Sequence, residues 1–281
     1  MNKEFLNLSI KTNKAFLEGL VKSELLKRSD SSKIQKKLNQ IKKDRNFKKN
    51  FKNKKSYQEQ IQNYLQKRLR KSSKIIPKYS STKEFDDTTR IKYQIISLEK
   101  IRKDLKKLTN QFFQTAKKYK NSPYKNSTVG HYFIAYTESL IEDLILIKNT
   151  EKIFNKSPLG NKEITKILER ELMTKKLELK NTVINSIFAK KISNKFNSLY
   201  LEVLLQISIS LEAENLIEEL KAEKTLKSTN RTIYFTEAIL ELIKSSKPKI
   251  KKSKALEIKE KSLGSAGNLD LDFYKRKLSK L

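Results

Sequence analysis

Apolar residues recur at intervals of three and four along nearly the whole chain, and only four prolines and five glycines interrupt them. That spacing gathers apolar side chains on one face of a helix, so the pattern predicts an all-α protein. Phe16, Leu17, Leu20, Val21 and Leu25 mark a short first helix that begins near Asn13 and fades between Arg28 and Ser32. Ile34, Leu38 and Ile41 continue the pattern, and Ile61, Leu65 and Leu69 resume it after a gap. Ser72 to Thr82, with Pro77 and a Ser/Thr cluster, reads as a linker.

Beyond it, Ser81 and Glu84 have capping-box spacing, in which the hydroxyl serves a first-turn amide and the carboxylate reaches back. Ile91, Ile95, Leu98, Leu105, Leu108 and Phe112 then define a long helix with a seam like that of a coiled coil. Asn121, Pro123 and Asn126 supply a turn. A second helix over Val129 to Phe154 carries Phe133, Tyr136, Leu140, Leu144 and Ile147. After a turn at Ser157, Pro158 and Gly160, Asn161 is the expected N-cap of a stretch free of Pro and Gly up to Leu220. A bend is expected in its polar region, Lys191 to Ser198. Thr232 to Lys244 forms the last helix, with Phe235, Ala238, Ile239 and Leu242 inward; a tail follows, ending in an apolar and aromatic patch at Leu269 to Tyr274.

Charge changes this picture at the ends. Residues 1–80 hold 23 Lys/Arg against 6 Asp/Glu, residues 81–243 hold 28 against 21, and residues 244–281 hold 12 against 4. The expected architecture is an elongated bundle of long antiparallel helices over residues 81–243. It is flanked by basic, partly disordered N- and C-terminal extensions at 1–80 and 244–281. A net charge of +32 concerns anionic partners and solubility, not fold. Lysine outnumbers arginine 54 to 9, the signature of AT-rich codons, so part of the charge reflects the genome and not selection.

The densest basic stretch is Lys42 to Lys55, with eight cations, one acid and two phenylalanines. Like charges this close repel unless water or phosphate separates them, so the stretch reads as an arm that stays irregular until a polyanion orders it. Cations interleaved with aromatic rings suit single-stranded RNA, phosphate contacts combining with base stacking. The candidate nucleic-acid contacts are Lys42, Lys43, Arg45, Phe47, Lys48, Lys49, Phe51, Lys52, Lys54, Lys55, Arg68, Arg70 and Lys71, with Lys249, Lys251, Lys252 and Lys254 in the tail.

Catalytic and metal-binding chemistry finds no support in the sequence. His131 has no second His and no Cys to converge with, and the acidic pairs Asp86/Asp87, Glu142/Asp143 and Glu218/Glu219 point about 100° apart on a helix, as solvated or salt-bridged faces do. Gly264 to Gly267 lacks the Lys-Ser/Thr of a phosphate loop. No cofactor and no small-molecule substrate are expected. The absence of Cys excludes a disulfide scaffold, and neither a secretory signal nor a transmembrane run is found, which fits an intracellular, cytoplasmic or organellar (mitochondrial) protein.

The expectation is therefore a non-catalytic RNA-binding component of a ribonucleoprotein, a ribosomal protein above all, anchored by basic arms. One alternative is a peripheral protein on an anionic membrane surface with a BAR-like coiled-coil core. Another is a DNA-binding plasmid or phage maintenance protein.

Overall fold

The chain begins its first helix at the third residue because Asn2 caps it, its side chain accepting from the Phe5 amide at 2.9 Å. The computed structural model describes residues 1–52, 55–70, 72–124, 127–159, 169–183, 186–223, 229–248 and 270–281, with the backbone alone at 124, 154 and 186–190. Among these, twelve α-helices follow in order: α1 (Lys3–Lys22), α2 (Arg28–Ile41), α3 (Arg45–Lys49), α4 (Tyr57–Leu69), α5 (Ile75–Tyr79), α6 (Thr82–Lys118), α7 (Val129–Phe154), α8 (Arg170–Lys176), α9 (Ser186–Ser210), α10 (Glu214–Ala222), α11 (Thr229–Ser245) and α12 (Leu271–Ser279). Four two-residue strands pair locally: β1 (Pro123–Tyr124) runs antiparallel to β2 (Ser127–Thr128), and β3 (Lys156–Ser157) runs parallel to β4 (Asn181–Thr182). The protein is all-α, as the periodicity predicts.

Short polar side chains start the helices. Asp44 accepts from Phe47 N (2.9 Å), Ser56 from Glu59 N (3.0 Å), Ser81 from Glu84 N (3.2 Å) and Asp270 from Phe273 N (3.0 Å). The expected box at Ser81 forms with one change: Glu84 accepts from the Ser80 hydroxyl at 2.6 Å. With so few glycines, Glu24, Glu178 and Glu212 take positive φ just beyond helix ends, where glycine is the residue without steric penalty.

The chain divides into two compact units: residues 1–96, 153–197 and 227–233, and residues 97–152, 198–226 and 234–281. In the first unit α1 packs on α2, α4 and α8, burying Phe5, Ile10, Phe16, Leu17 and Leu20. Phe5 meets Tyr57 and Tyr93 at centroid distances of 4.8 and 5.6 Å, and Phe16 meets Phe85 edge-on at 4.9 Å. In the second unit one apolar cluster runs from Leu98 through Phe112, Phe133, Leu144, Tyr200, Ile207 and Phe235 to Leu278.

Three expectations on local structure change. The first helix starts ten residues before Asn13, because Ser9, Thr12 and Asn13 occupy its buried face and break the apolar count. Lys191 to Ser198 does not break the helix: it lies inside α9, with Ile192, Ser193, Phe196 and Asn197 buried and Asn197 accepting from Gln94 at 2.9 Å. The interruption falls earlier, where α8 ends at Lys176 and Glu178 takes a positive φ ahead of β4. The linker at Ser72 to Thr82 contains a 3-10 turn and α5, with Pro77 inside that helix. The expected N-cap at Asn161 lies outside the described residues.

Gly130 fixes the turn from α6 to α7. Its amide donates to Tyr119 O at 3.1 Å, and a Cβ there would stand 2.7 Å from Lys120 Cα and 2.8 Å from Lys120 O. Helix propensity favours Ala over Gly by about 1 kcal/mol, but backbone atoms cannot step aside as a side chain can. Gly130→Ala is expected to lower stability by about 1–2 kcal/mol net, read as a lower urea midpoint; an unchanged or raised midpoint means that the turn yields.

Candidate functional site: a basic pocket on α3 and α4

The basic stretch is held from below by aromatic rings. Phe47 is 9% exposed and packs edge-on against Tyr64 at 5.5 Å, with Phe51 at 5.9 Å on its other side. Phe51 in turn lies 4.7 Å from Tyr57, which reaches Phe5 in the core of the first unit. Asp44 reinforces the arrangement. Beyond capping α3 it receives a hydrogen bond from the Tyr64 hydroxyl and pairs with Arg68 at 2.8 Å, and Arg68 lies flat over the Tyr64 ring at 3.7 Å. The Phe47 amide foremost, with Tyr64 and Arg68, holds the Asp44 carboxyl below the usual carboxylate range.

Above these rings is a pocket of about 570 Å³, within the range of small-molecule sites. Among the described residues four cations line it: Lys52, Lys55, Lys67 and Arg68. Four amide side chains join them, Asn46, Asn50, Gln60 and Asn63, and the aromatic wall is Phe47 and Tyr64. Gln60 does more than line the wall. Its Oε1 accepts from Lys52 N at 2.7 Å, and its Nε2 donates to Lys52 O, Lys55 O and Ser56 O at 3.1, 3.3 and 3.3 Å. One nearly buried side chain thus fastens both ends of the segment that carries Lys52 and Lys55.

Of the sequence-predicted residues, Phe47, Lys52, Lys55 and Arg68 come together here, and Phe51 supports them from the ring cluster. Lys42, Lys43, Arg45, Lys48, Lys49 and Arg70 are exposed and do not line the pocket. Lys54, Lys71, Lys249, Lys251, Lys252 and Lys254 lie outside the described residues. Sequence reasoning passed over Asn46, Asn50, Gln60, Asn63 and Lys67. Their spacing was the available signal: 46 and the C-cap residue 50 stand one helical turn apart at α3, and 60, 63 and 67 share one face of α4.

Of the acidic pairs, Glu218 and Glu219 are exposed and Glu142 pairs with Lys277 at 3.7 Å, as solvated or salt-bridged faces do, whereas Asp86 is half-buried and Asp143 buried. Asp87 forms a buried ion pair with Arg90. Asp86 accepts from Gln58 N at 3.2 Å and from Ser56, yet burial pushes its carboxyl up to about 6. Asp143 is 5% exposed, its Oδ2 lacks a hydrogen-bond partner, and burial pushes it up to about 6 as well. Among the described residues no group of His, Cys, Asp and Glu gathers closely enough to hold a metal ion, and no helix is long and apolar enough to cross a membrane.

No family model matches the chain, and no curated protein matches it in sequence. Solved structures match it strongly. The 3-carboxy-cis,cis-muconate lactonizing enzyme from Pseudomonas putida superposes with a TM-score of 0.68 at 10% identity, over 99% of this chain and 76% of that one. A fumarate lyase:delta crystallin from Brucella melitensis gives 0.62 at 12% identity, over 99% and 77%. EDDS lyase in complex with formate gives 0.58 at 13% identity, over 98% of this chain and 62% of that one. The fold is that of the fumarate lyases and muconate lactonizing enzymes.

This overturns the functional expectation drawn from composition. Neighbours over nearly the entire chain are enzymes of small carboxylates, so a non-catalytic RNA-binding ribosomal component is withdrawn. The membrane-bound BAR-like and DNA-binding alternatives go with it, as do the nucleic-acid partner and the exclusion of a small-molecule substrate. The physical reason is visible in the basic stretch: the rings assigned to base stacking pack on one another, and the cations fringe a folded pocket.

Phe47→Ala is expected to lower stability by about 3 kcal/mol, as for a buried Phe truncation, seen as a lower denaturant midpoint; an unchanged midpoint would return the stretch to a free arm. For Asp143 the carboxyl is raised in the folded state. Its stabilising contribution is therefore present below its unfolded value near 3.8 and lost as pH rises through about 6. Asp143→Asn is expected to stabilise the protein at pH 7.5 by on the order of 2–3 kcal/mol, with the difference from wild type vanishing below pH 4. A pH-independent difference in thermal midpoint contradicts this.

Proposed function

We propose that the chain is an enzyme that acts on a small, multiply carboxylated substrate. The observation that carries this reading is the superposition of 99% of the chain on a lactonizing enzyme of a carboxymuconate at a TM-score of 0.68. EDDS lyase, the third neighbour, has been solved with formate, and a variant of it with fumarate bound. The composition supports the same substrate class. A chain of net charge +32 raises the local concentration of small anions by long-range attraction. Elimination or addition beside a carboxylate also builds negative charge on that group in the transition state, where fixed donors and cations stabilise it.

In the first unit the basic pocket on α3 and α4 supplies ammonium, guanidinium and amide donors of the kind that carboxylates take. The test is turnover by the full chain of fumarate and of unsaturated di- and tricarboxylates, with and without ammonia or small amines. Loss of absorbance from the conjugated double bond and product formation by NMR are the readouts. Consumption of at least one such acid, abolished by heat denaturation of the protein, is expected. Absence of turnover across the panel by a folded protein sinks the proposal.

A further inference from the structure

We infer that the pocket on α3 and α4 is a preformed site for a small ligand with two negative charges, in which Lys52 and Lys67 make the charge contacts and Gln60 is a positioning residue. Arg68 is committed to Asp44 at 2.8 Å and to the Tyr64 ring, and Lys55 pairs with Glu59 at 3.0 Å. Lys52 and Lys67 have no carboxylate partner among the described residues, and neither Asp44 nor Glu59 lines the cavity. Among the described residues that line the pocket, the unbalanced charge is therefore that of two ammonium groups, which a dianion neutralises and a monoanion does not.

Geometry points the same way. Lys52 stands on the segment between α3 and α4, whereas Lys67 stands near the end of α4, so the two charges come from separate elements to one cavity. Gln60 removes freedom from the first of them by binding both backbone groups of Lys52, and an ordered donor loses less entropy on binding than a mobile one. Amide side chains of Asn46 and Asn63 line the same cavity and supply neutral donors for the remaining oxygen lone pairs. The nearly buried rings of Phe47 and Tyr64 form its apolar wall. About 570 Å³ is ample for a dicarboxylate or a phosphate ester.

The inference rests on the proposed function only where the dianion is the substrate; the charge argument holds whatever reaction the protein performs. Isothermal titration of the full chain at low salt, with succinate, inorganic phosphate and acetate as probes, tests it. One saturable site for succinate or phosphate is expected, with acetate at least tenfold weaker and the dianion affinity falling as NaCl rises. Tighter succinate assigns the site to carboxylates and tighter phosphate to phosphoryl groups; both support a dianion site.

Lys52→Ala and Lys67→Ala, both at exposed positions, are each expected to weaken binding roughly tenfold. Gln60→Ala, which leaves every cation in place, weakens it also, with unchanged far-ultraviolet circular dichroism. Lys11→Ala, remote in sequence and paired with Glu178, leaves it unaltered. Equal affinity for acetate and succinate, or full affinity in both lysine variants, overturns the inference. Dianion binding without turnover of any carboxylate keeps this site and sinks the lyase reading. Turnover with unchanged KM in both lysine variants does the reverse for a substrate site here.

Discussion

The packing of Phe47, Phe51, Tyr57 and Tyr64 decides what the basic stretch is. Eight cations in fourteen residues favour an extended chain, yet each like-charge contact among exposed lysines is worth only tenths of a kcal/mol in water and salt. Burying one phenylalanine ring is worth about 1.5–3 kcal/mol. Two phenylalanines with the Asp44 cap and its Arg68 pair therefore outweigh the repulsion. The described lysines of the stretch stay exposed around these rings, and Lys52 and Lys55 become part of the rim of a cavity.

The same first unit shows how polar side chains set register in a helical interior. Asn13 and Gln58 exchange hydrogen bonds at 2.7 and 3.0 Å, Thr89 bonds Thr12 at 3.1 Å, and Gln94 donates to Asn197 at 2.9 Å. Each pair joins helices distant in sequence, and each leaves an unsatisfied buried amide or hydroxyl if a helix slides by one residue. Apolar contacts tolerate such a slip more readily, because they have no direction. The Asn13 and Gln58 pair thereby fixes α1 against α4, and through α4 the face that carries Gln60, Asn63 and Lys67.

Those interior polar groups also explain what could be read from the sequence. Where apolar spacing is uninterrupted, the elements were legible: α7 runs from Val129 to Phe154 as the pattern implies, and α6 starts one residue after the Ser81 cap. Where Ser9, Thr12 and Asn13, or Ser193 and Asn197, face inward, hydropathy reports a surface that the fold buries. The start of α1 and the continuity of α9 were lost for that reason. The pocket was half legible. Its charge and rings stand in one stretch, whereas Gln60, Asn63 and Lys67 have meaning only once α4 is placed beside that stretch. Fold identity was beyond reach, since its neighbours share about a tenth of their residues with this chain.

Arginine and lysine divide the work in a way that fits a lysine-drifted composition. Arg68 holds the Asp44 carboxylate while lying over the Tyr64 ring, which a planar guanidinium does and an ammonium does poorly. Arg90 likewise sits in a buried pair with Asp87. The positions that need only a cation near water, Lys52, Lys55 and Lys67, are lysines. If codon bias replaces arginine where charge alone suffices, Arg68 and Arg90 are two positions at which geometry holds it. The lysines at the pocket mark electrostatic demand without strict directionality, a division suited to a ligand recognised by its charge and size, with its orientation set by the surrounding amides.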